Sequence, residues 1–442
     1  MLIINRVEKD RLNRQVEQKY WLVRFSTGIK AIITDWRKAV ALGVYMLILF
    51  LLIYFRKDLF GTKNQDMFKI IENMLIQLMI PVYGLGGFFF LIVSFGTPFG
   101  GKMIRDNLWR IGLTNHAGEA PLLIAKRKDS KDKRLQVLEF ETNGIPLKEW
   151  EDKRIKIESA LDVHVVKISE GASKRRILVH TLPVKNSLPD IVHWKDEYIS
   201  EKDFELILGE SLTGKETVNL ATIPHILLGG STGSGKSVLL KSLIMQCIMK
   251  SAVVCIADFK GGVDFPPIWH RHCRIVIEEN ELLDLLTVIV EELMRRRLIF
   301  KEYECANIIE YNEKNNDDLP RFIFVCDEVA EILDKTGLDK NKKEIIASIE
   351  SKLSTIARLG RAFGIHLILA TQRPDATILS GQIRNNINYR VCGRADNVLS
   401  QIILDNTAAS DQIPKDAQGR FINHDGTVFQ GYWFDENNVL QQ

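Results

Sequence analysis

The eight residues Gly230–Ser237, GSTGSGKS, restrict the fold more than any other part of this chain. They match the spacing GxxxxGK[ST]. That spacing holds phosphate only where a strand leads into the loop and a helix leads out of it. Both flanks have the required pattern. Ile223–Leu228 is apolar, and Ser237–Met249 reads as a helix. Glycines let the loop turn its backbone N–H groups inward, and the helix N-terminus adds a favourable field for anionic oxygens. Gly230, Ser231, Thr232, Gly233, Ser234, Gly235, Lys236 and Ser237 are therefore the expected nucleotide-binding residues. Lys236 is expected on the β- and γ-phosphates of ATP, and the Ser237 hydroxyl on Mg²⁺.

Downstream, apolar runs alternate with helical patterns. Ala252–Ala257 ends in Asp258, Phe322–Cys326 ends in Asp327 and Glu328, and His366–Ala370 is followed by Gln372. Leu282, Leu285, Leu286, Ile289 and Leu293 form a helical stripe between them. Such alternation predicts an α/β doubly wound, mainly parallel sheet. An acid at the carboxyl end of a parallel strand faces the ligand crevice. Asp327 is expected to hold Mg²⁺, and Glu328 to polarise the attacking water as general base. Gln372 suits a side chain that senses the γ-phosphate or its water, or else a turn cap. Arg358 and Arg361 precede its strand; either suits an arginine finger serving a neighbouring subunit, or a surface ion pair.

The first quarter of the chain has a different character. Ala39–Phe55 and Leu75–Phe95 carry no charge. At 1.5 Å per residue the shorter run reaches about 25 Å, the low end for a membrane helix. Trp36 and Tyr54 flank it as interfacial aromatics do. Pro81, Gly84, Gly86 and Gly87 lie in the second run, where a membrane helix tolerates them. The reading is a helical hairpin over 39–95 with both ends cytoplasmic, since basic residues flank its outer ends and ATP must be reached. Residues 1–38 precede it, 103–200 form a small mixed adaptor, and 201–442 form the motor.

Overall charge says little about partners, because the formal net charge is only +3 over 442 residues. Six scattered cysteines without a CxxC pair fit a reducing compartment. His270, His272 and Cys273 lie close together but lack a second cluster for a zinc site, and read as a strand-edge loop. Lys126–Arg134 (KRKDSKDKR) reads as a solvated hairpin tip. Arg295, Arg296 and Arg297, late in a long helical pattern, read as solvated or as complementing the helix dipole.

Four segments carry a family resemblance: ADFKGGVDF (Ala257–Phe265), ELMRRRLIFKEYECANIIEYN (Glu292–Asn312), FIFVCDE (Phe322–Glu328) and GRAFGIHLILATQRPD (Gly360–Asp375). Over about residues 200–434 the chain resembles the FtsK/SpoIIIE family of DNA translocases. With the two spans and IGLTNHAGEAPLLIAKR (Ile111–Arg127), it is more narrowly similar to coupling proteins of Gram-positive integrative and conjugative elements. The resemblance implies a RecA-like motor forming a hexameric ring around double-stranded DNA. It also implies that Arg361 is the finger acting in trans, and that Arg373 and Arg384 fall near DNA-contacting positions, where they would meet phosphates without reading sequence.

Chromosome-segregating relatives usually carry a winged-helix module after the motor and a long linker before it. Neither is expected here, which moves the reading towards conjugative transfer. The expectation is a membrane-anchored coupling protein that delivers element DNA, with its relaxase, to a secretion channel. Two alternatives are a short-form chromosome-segregation translocase and a type VII-like protein-secretion ATPase. The latter usually has several motor domains, whereas one phosphate loop is present here.

Overall fold

The structure is a computed structural model that describes residues 21–55, 67–96, 100–130, 132–184, 187–261, 263–315, 318–372 and 380–436. The chain divides into two units, Met1–Asn186 and Ser187–Gln442.

In the first unit, residues 21–34 are helical and Asp35 starts the next helix, α1 (Trp36–Tyr54), by accepting the Arg37 N–H at 3.1 Å. The second apolar helix, α2 (Met67–Phe95), contains Pro81. Both are long and apolar enough to cross a membrane, with mean hydropathies of 1.9 and 2.1 over Trp36–Tyr54 and Leu78–Phe95. Small residues let them touch. A Cβ on Gly84 would lie 2.3 Å from Leu49, one on Gly87 would lie 2.2 Å from the Tyr45 hydroxyl, and that hydroxyl donates to the Gly84 carbonyl at 2.8 Å.

A small mixed domain, expected over 103–200, begins with α3 (Gly101–Arg110). Its strands are β1 (Leu122–Lys128), β2 (Gln136–Glu141), β3 (Val163–Glu170) and β4 (Arg176–Pro183), in the antiparallel order β1-β2-β4-β3. Helices α4 (Leu147–Asp152) and α5 (Arg154–Leu161) bury Trp150 and Ile157 with Phe140, Val179 and Leu108. The charge run crosses the β1–β2 turn, where Arg134 meets Asp132.

The second unit opens with β5 (Val192–His193), which the sequence boundaries assign to the adaptor. It pairs instead with Tyr432 and Trp433 in the motor sheet. That sheet has eleven strands. After β6 (Glu205–Ser211) and β7 (Gly214–Asn219) come β8 (His225–Gly229), α6 (Lys236–Met249), β9 (Val253–Ala257) and β10 (Cys273–Val276). Next are α7 (Glu279–Glu302), β11 (Phe322–Cys326), α8 (Lys340–Phe363) and β12 (Ile365–Thr371). β13 (Tyr389–Cys392), β14 (Arg420–Asn423) and β15 (Val428–Trp433) complete it. The order β10-β9-β11-β12-β8-β13 is parallel throughout; β14, β15, β6 and β7 continue it antiparallel.

The central strands are buried on both faces, which is why they read as unbroken apolar runs. One face packs on α6 through Leu239, Leu240 and Leu243. The other packs on α7 and α8 through Leu286, Leu293, Ile349 and Ile356. The antiparallel wing escapes the sequence pattern because its strands mix polar and apolar residues, as in Arg420–Asn423.

Candidate active site

Strand β8 lies between β12 and β13, the point where strand order reverses and an open parallel sheet forms its crevice. Register aligns the carboxyl ends there. Thr371 and Cys392 both flank Gly229, and Cys326 flanks Ala257. The residues that follow therefore emerge together: Gly230, Gln372, Gly393, Asp258 and Asp327.

Gly230–Ser237 sits directly beyond β8, and α6 starts at Lys236. Gly235 adopts φ +95, a left-handed backbone that suits glycine, and a Cβ there would lie 2.9 Å from the Gly419 backbone. Two groups, one just after β13 and one just before β14, brace the loop. The Arg394 guanidinium donates to the Thr232 and Lys415 carbonyls at 2.7 Å each, and the Gly419 N–H donates to the Ser234 carbonyl at 2.9 Å.

The charged centre is compact. Lys236 Nζ is 2.7 Å from Asp327 Oδ1 and also donates to the Asp327 carbonyl at 2.6 Å. Lys260 reaches the other carboxylate oxygen of Asp327 and pairs with Asp264 at 3.1 Å. Burial by itself would raise the Asp327 carboxyl, but the two ammonium groups outweigh it and hold it at about 2. Asp258 behaves oppositely: burial raises its carboxyl, Asp264 and Asp327 add to this, and the backbone N–H and ammonium of Lys260 offset it only in part. Glu328, 6% exposed, accepts from the Thr371 hydroxyl at 2.7 Å and the Gln372 N–H at 2.9 Å. The Gln372 side-chain oxygen accepts from Thr232 at 2.9 Å, so Gln372 bridges the glycine loop and the Glu328 strand end.

This residue set fits a nucleoside triphosphate with a divalent cation. Ser234 Oγ and Asp258 Oδ2 are buried and have no hydrogen-bond partner among the described residues. Both border the loop or the acidic pair, where a polar ligand would satisfy them. A buried lysine beside a buried carboxylate also supplies the charges that a phosphate–cation pair requires.

The structure brings Lys236, Asp327, Glu328, Gln372 and Thr232 into one cleft, while Arg361 lies elsewhere. It occupies the last turn of α8, which leads into the amino end of β12. The seven residues of β12 separate it from the cleft by about 20 Å. It lines a cavity of about 490 Å³ with Arg358, Asn307 and Phe363. Arg384 gives its guanidinium to Asp405 at 3.0 Å, and Arg373 lies outside the described residues. The basic run in α7 is not uniformly solvated. Arg296 is fully buried, because the helix turns it inward with the apolar stripe, and Arg295 pairs with Glu292. The sequence pattern placed Asp258 at a strand end but assigned no role to it, nor to Lys260, Thr371 or Arg394. The first two follow the apolar run Ala252–Ala257 as Asp327 follows its own, so the same strand-end signal marks them.

The FtsK/SpoIIIE family model matches residues 195–376. The DNA translocase FtsK of Treponema pallidum (strain Nichols) is 29% identical over 257 residues, covering 54% of this chain and 30% of that protein. The DNA translocase FtsK of Chlamydia pneumoniae is 30% identical over 227 residues, covering 47% of this chain and 27% of that protein. The chain thus spans less than a third of the length of these relatives. Among solved structures, the pCW3 conjugation coupling protein TcpA, in monomer form with ATPγS, is 33% identical with a TM-score of 0.58. That match covers 77% of this chain and 98% of the solved TcpA chain. From the glycine loop at the switch point of its sheet to these matches, the chain belongs to the FtsK/SpoIIIE family of P-loop ATPases.

Proposed function

We propose that this chain is a membrane-anchored, ATP-driven DNA translocase acting as a coupling protein, which delivers element DNA and its relaxase to a conjugative secretion channel. The observation that carries the proposal is the extent of the match to the TcpA coupling protein. It takes in 77% of this chain, more than the second unit alone, and nearly all of the solved TcpA chain. The two apolar helices support an anchor with both termini cytoplasmic.

In this reading the loop N–H groups and Lys236 hold the β- and γ-phosphates of ATP, and Ser237 and Asp327 hold Mg²⁺. The cation would supply charge neutralisation for the phosphoryl oxygens. Glu328, fixed by Thr371 and the Gln372 N–H, would orient and deprotonate the attacking water. Lys236 and Lys260 would exchange their bonds to Asp327 for the incoming ligand. Arg361 lies too far from its own cleft to serve it, which supports a site completed by the next subunit of a hexameric ring. Arg373 and Arg384 would contact the phosphates of double-stranded DNA, giving binding that weakens with salt.

A mating assay with Lys236→Ala or Glu328→Gln as the sole copy tests the proposal. Transfer should be abolished. Undiminished transfer with either variant would exclude a motor role. Hydrolysis that double-stranded DNA fails to stimulate would instead favour protein export.

A further inference from the structure

Arg296 occupies the inward stripe of α7, between Leu293 and Phe300, and is fully buried. A guanidinium keeps its charge at any physiological pH, so complete burial demands partners. It has three. Nε donates to the Glu292 carboxylate at 2.7 Å, Nη1 to the Phe363 carbonyl at 2.8 Å, and Nη2 to the Pro320 carbonyl at 2.7 Å. Its guanidinium carbon also lies 5.1 Å from the Phe322 ring centroid.

The two carbonyl acceptors belong to different parts of the chain. Phe363 is the last residue of α8, where helix carbonyls run out of intrahelical donors and a cation is favoured. Pro320 lies just before β11, the strand that ends in Asp327 and Glu328. One side chain therefore ties the turn bearing Arg358 and Arg361 to the foot of the strand bearing the acidic pair.

That turn has little freedom to move. A Cβ on Gly360 would lie 2.2 Å from the Ile365 carbonyl oxygen. Gly364 ends the helix at φ +69 and donates to the Arg361 carbonyl. The His225 ring adds a bond at 3.1 Å to the Ala357 carbonyl, one turn earlier.

We propose that Arg296 is a positioning residue for the arginine acting in trans: it sets where the last turn of α8 presents Arg361 to the neighbouring subunit. This rests on the shared-site reading given under Proposed function. Arg296 touches no part of its own nucleotide cleft. Loss of its fork should therefore damage the site of the next subunit and spare its own.

Subunit mixing tests this with the full-length protein in detergent. Arg296→Lys keeps the charge and loses the bidentate reach to two carbonyls. Alone, it should lower kcat by about tenfold to a hundredfold, as small misplacements of a catalytic group do. Its affinity for a fluorescent ADP analogue should be unchanged. Lys236→Ala subunits cannot hydrolyse ATP but carry an intact Arg361. Co-assembled with Arg296→Lys subunits, they should restore hydrolysis well above the summed activity of the two variants, as they should for Arg361→Ala. Rescue of Arg361→Ala but not of Arg296→Lys would overturn the positioning role and leave Arg296 a fold brace. An unchanged kcat in Arg296→Lys would overturn it too. Failure to rescue Arg361→Ala would overturn the shared site itself and the inference with it.

Discussion

The two ends of the central strands solve the problem of buried polar groups in opposite ways. At the carboxyl ends, charges face one another: buried Lys236 and half-buried Lys260 on Asp327, with Asp258 beside them. At the amino ends, buried polar side chains are satisfied mostly by backbone. Arg296 meets two carbonyls, His225 meets the Ala357 carbonyl and the Leu367 N–H, and His366 meets the Pro224 carbonyl. Ionic partners can be exchanged for a phosphate or a cation without breaking the fold, whereas backbone partners cannot. The comparison teaches that chemistry belongs to the first edge and geometry to the second.

The largest expected effect lies at the carboxyl edge. Glu328→Gln should cut ATP hydrolysis by about 10²–10⁴-fold, the usual contribution of a general base, and leave nucleotide binding intact. Steady-state hydrolysis beside equilibrium binding checks it. A comparable loss of binding would show that Glu328 organises the cleft rather than acting on water.

A change at the amino edge should affect stability and not affinity. Arg321 donates to His366 Nε2 at 3.2 Å and pairs with Asp203 at 2.6 Å. Arg321→Met leaves the buried imidazole acceptor without its donor, which destabilises by about 1–3 kcal/mol. Denaturant unfolding would measure this. A change in nucleotide affinity without a change in unfolding midpoint would break the proposed separation of the edges.

Thr371→Val tests the carboxyl edge more finely. It removes one of the two bonds that aim Glu328, and should lower kcat by about tenfold with KM unchanged.

The most gradual effect is a pH slope belonging to the amino edge. The Leu367 N–H occupies His225 Nδ1, so the proton of that ring sits on Nε2, facing the Ala357 carbonyl. Burial lowers both histidines well below the ordinary 6.5, His225 to about 4. The unfolded chain therefore binds protons that the folded chain excludes. Stability is intact above about pH 6.5 and falls as pH drops below it, by about 1 kcal/mol per pH unit per histidine. Melting between pH 7.5 and pH 5 should show the slope, and His366→Gln should flatten it. An unaltered slope in that variant would assign the titration to other groups.

The carboxyl edge was legible in the sequence and the amino edge was not. Asp327, Glu328 and Gln372 each follow an apolar run, and in a parallel sheet that position alone places a side chain in the crevice. Arg296 carries no comparable mark. It sits in a run of three arginines, and only the turn of α7 decides which one enters the core.

What the sequence by itself determined was therefore local and periodic. It set the glycine loop between strand and helix, the order of buried strands, the two uncharged helices and the acids at strand ends. Tertiary structure decided what depends on residues far apart in the chain. It placed β8 between β12 and β13, added an antiparallel wing to the parallel sheet, and set Arg394 and Gly419 against the loop. It also put Arg361 at the far end of the sheet from Glu328. The physical reason is that periodicity reports which face of an element is buried, whereas partners across elements are chosen by packing and by the need of each buried polar group for a specific acceptor.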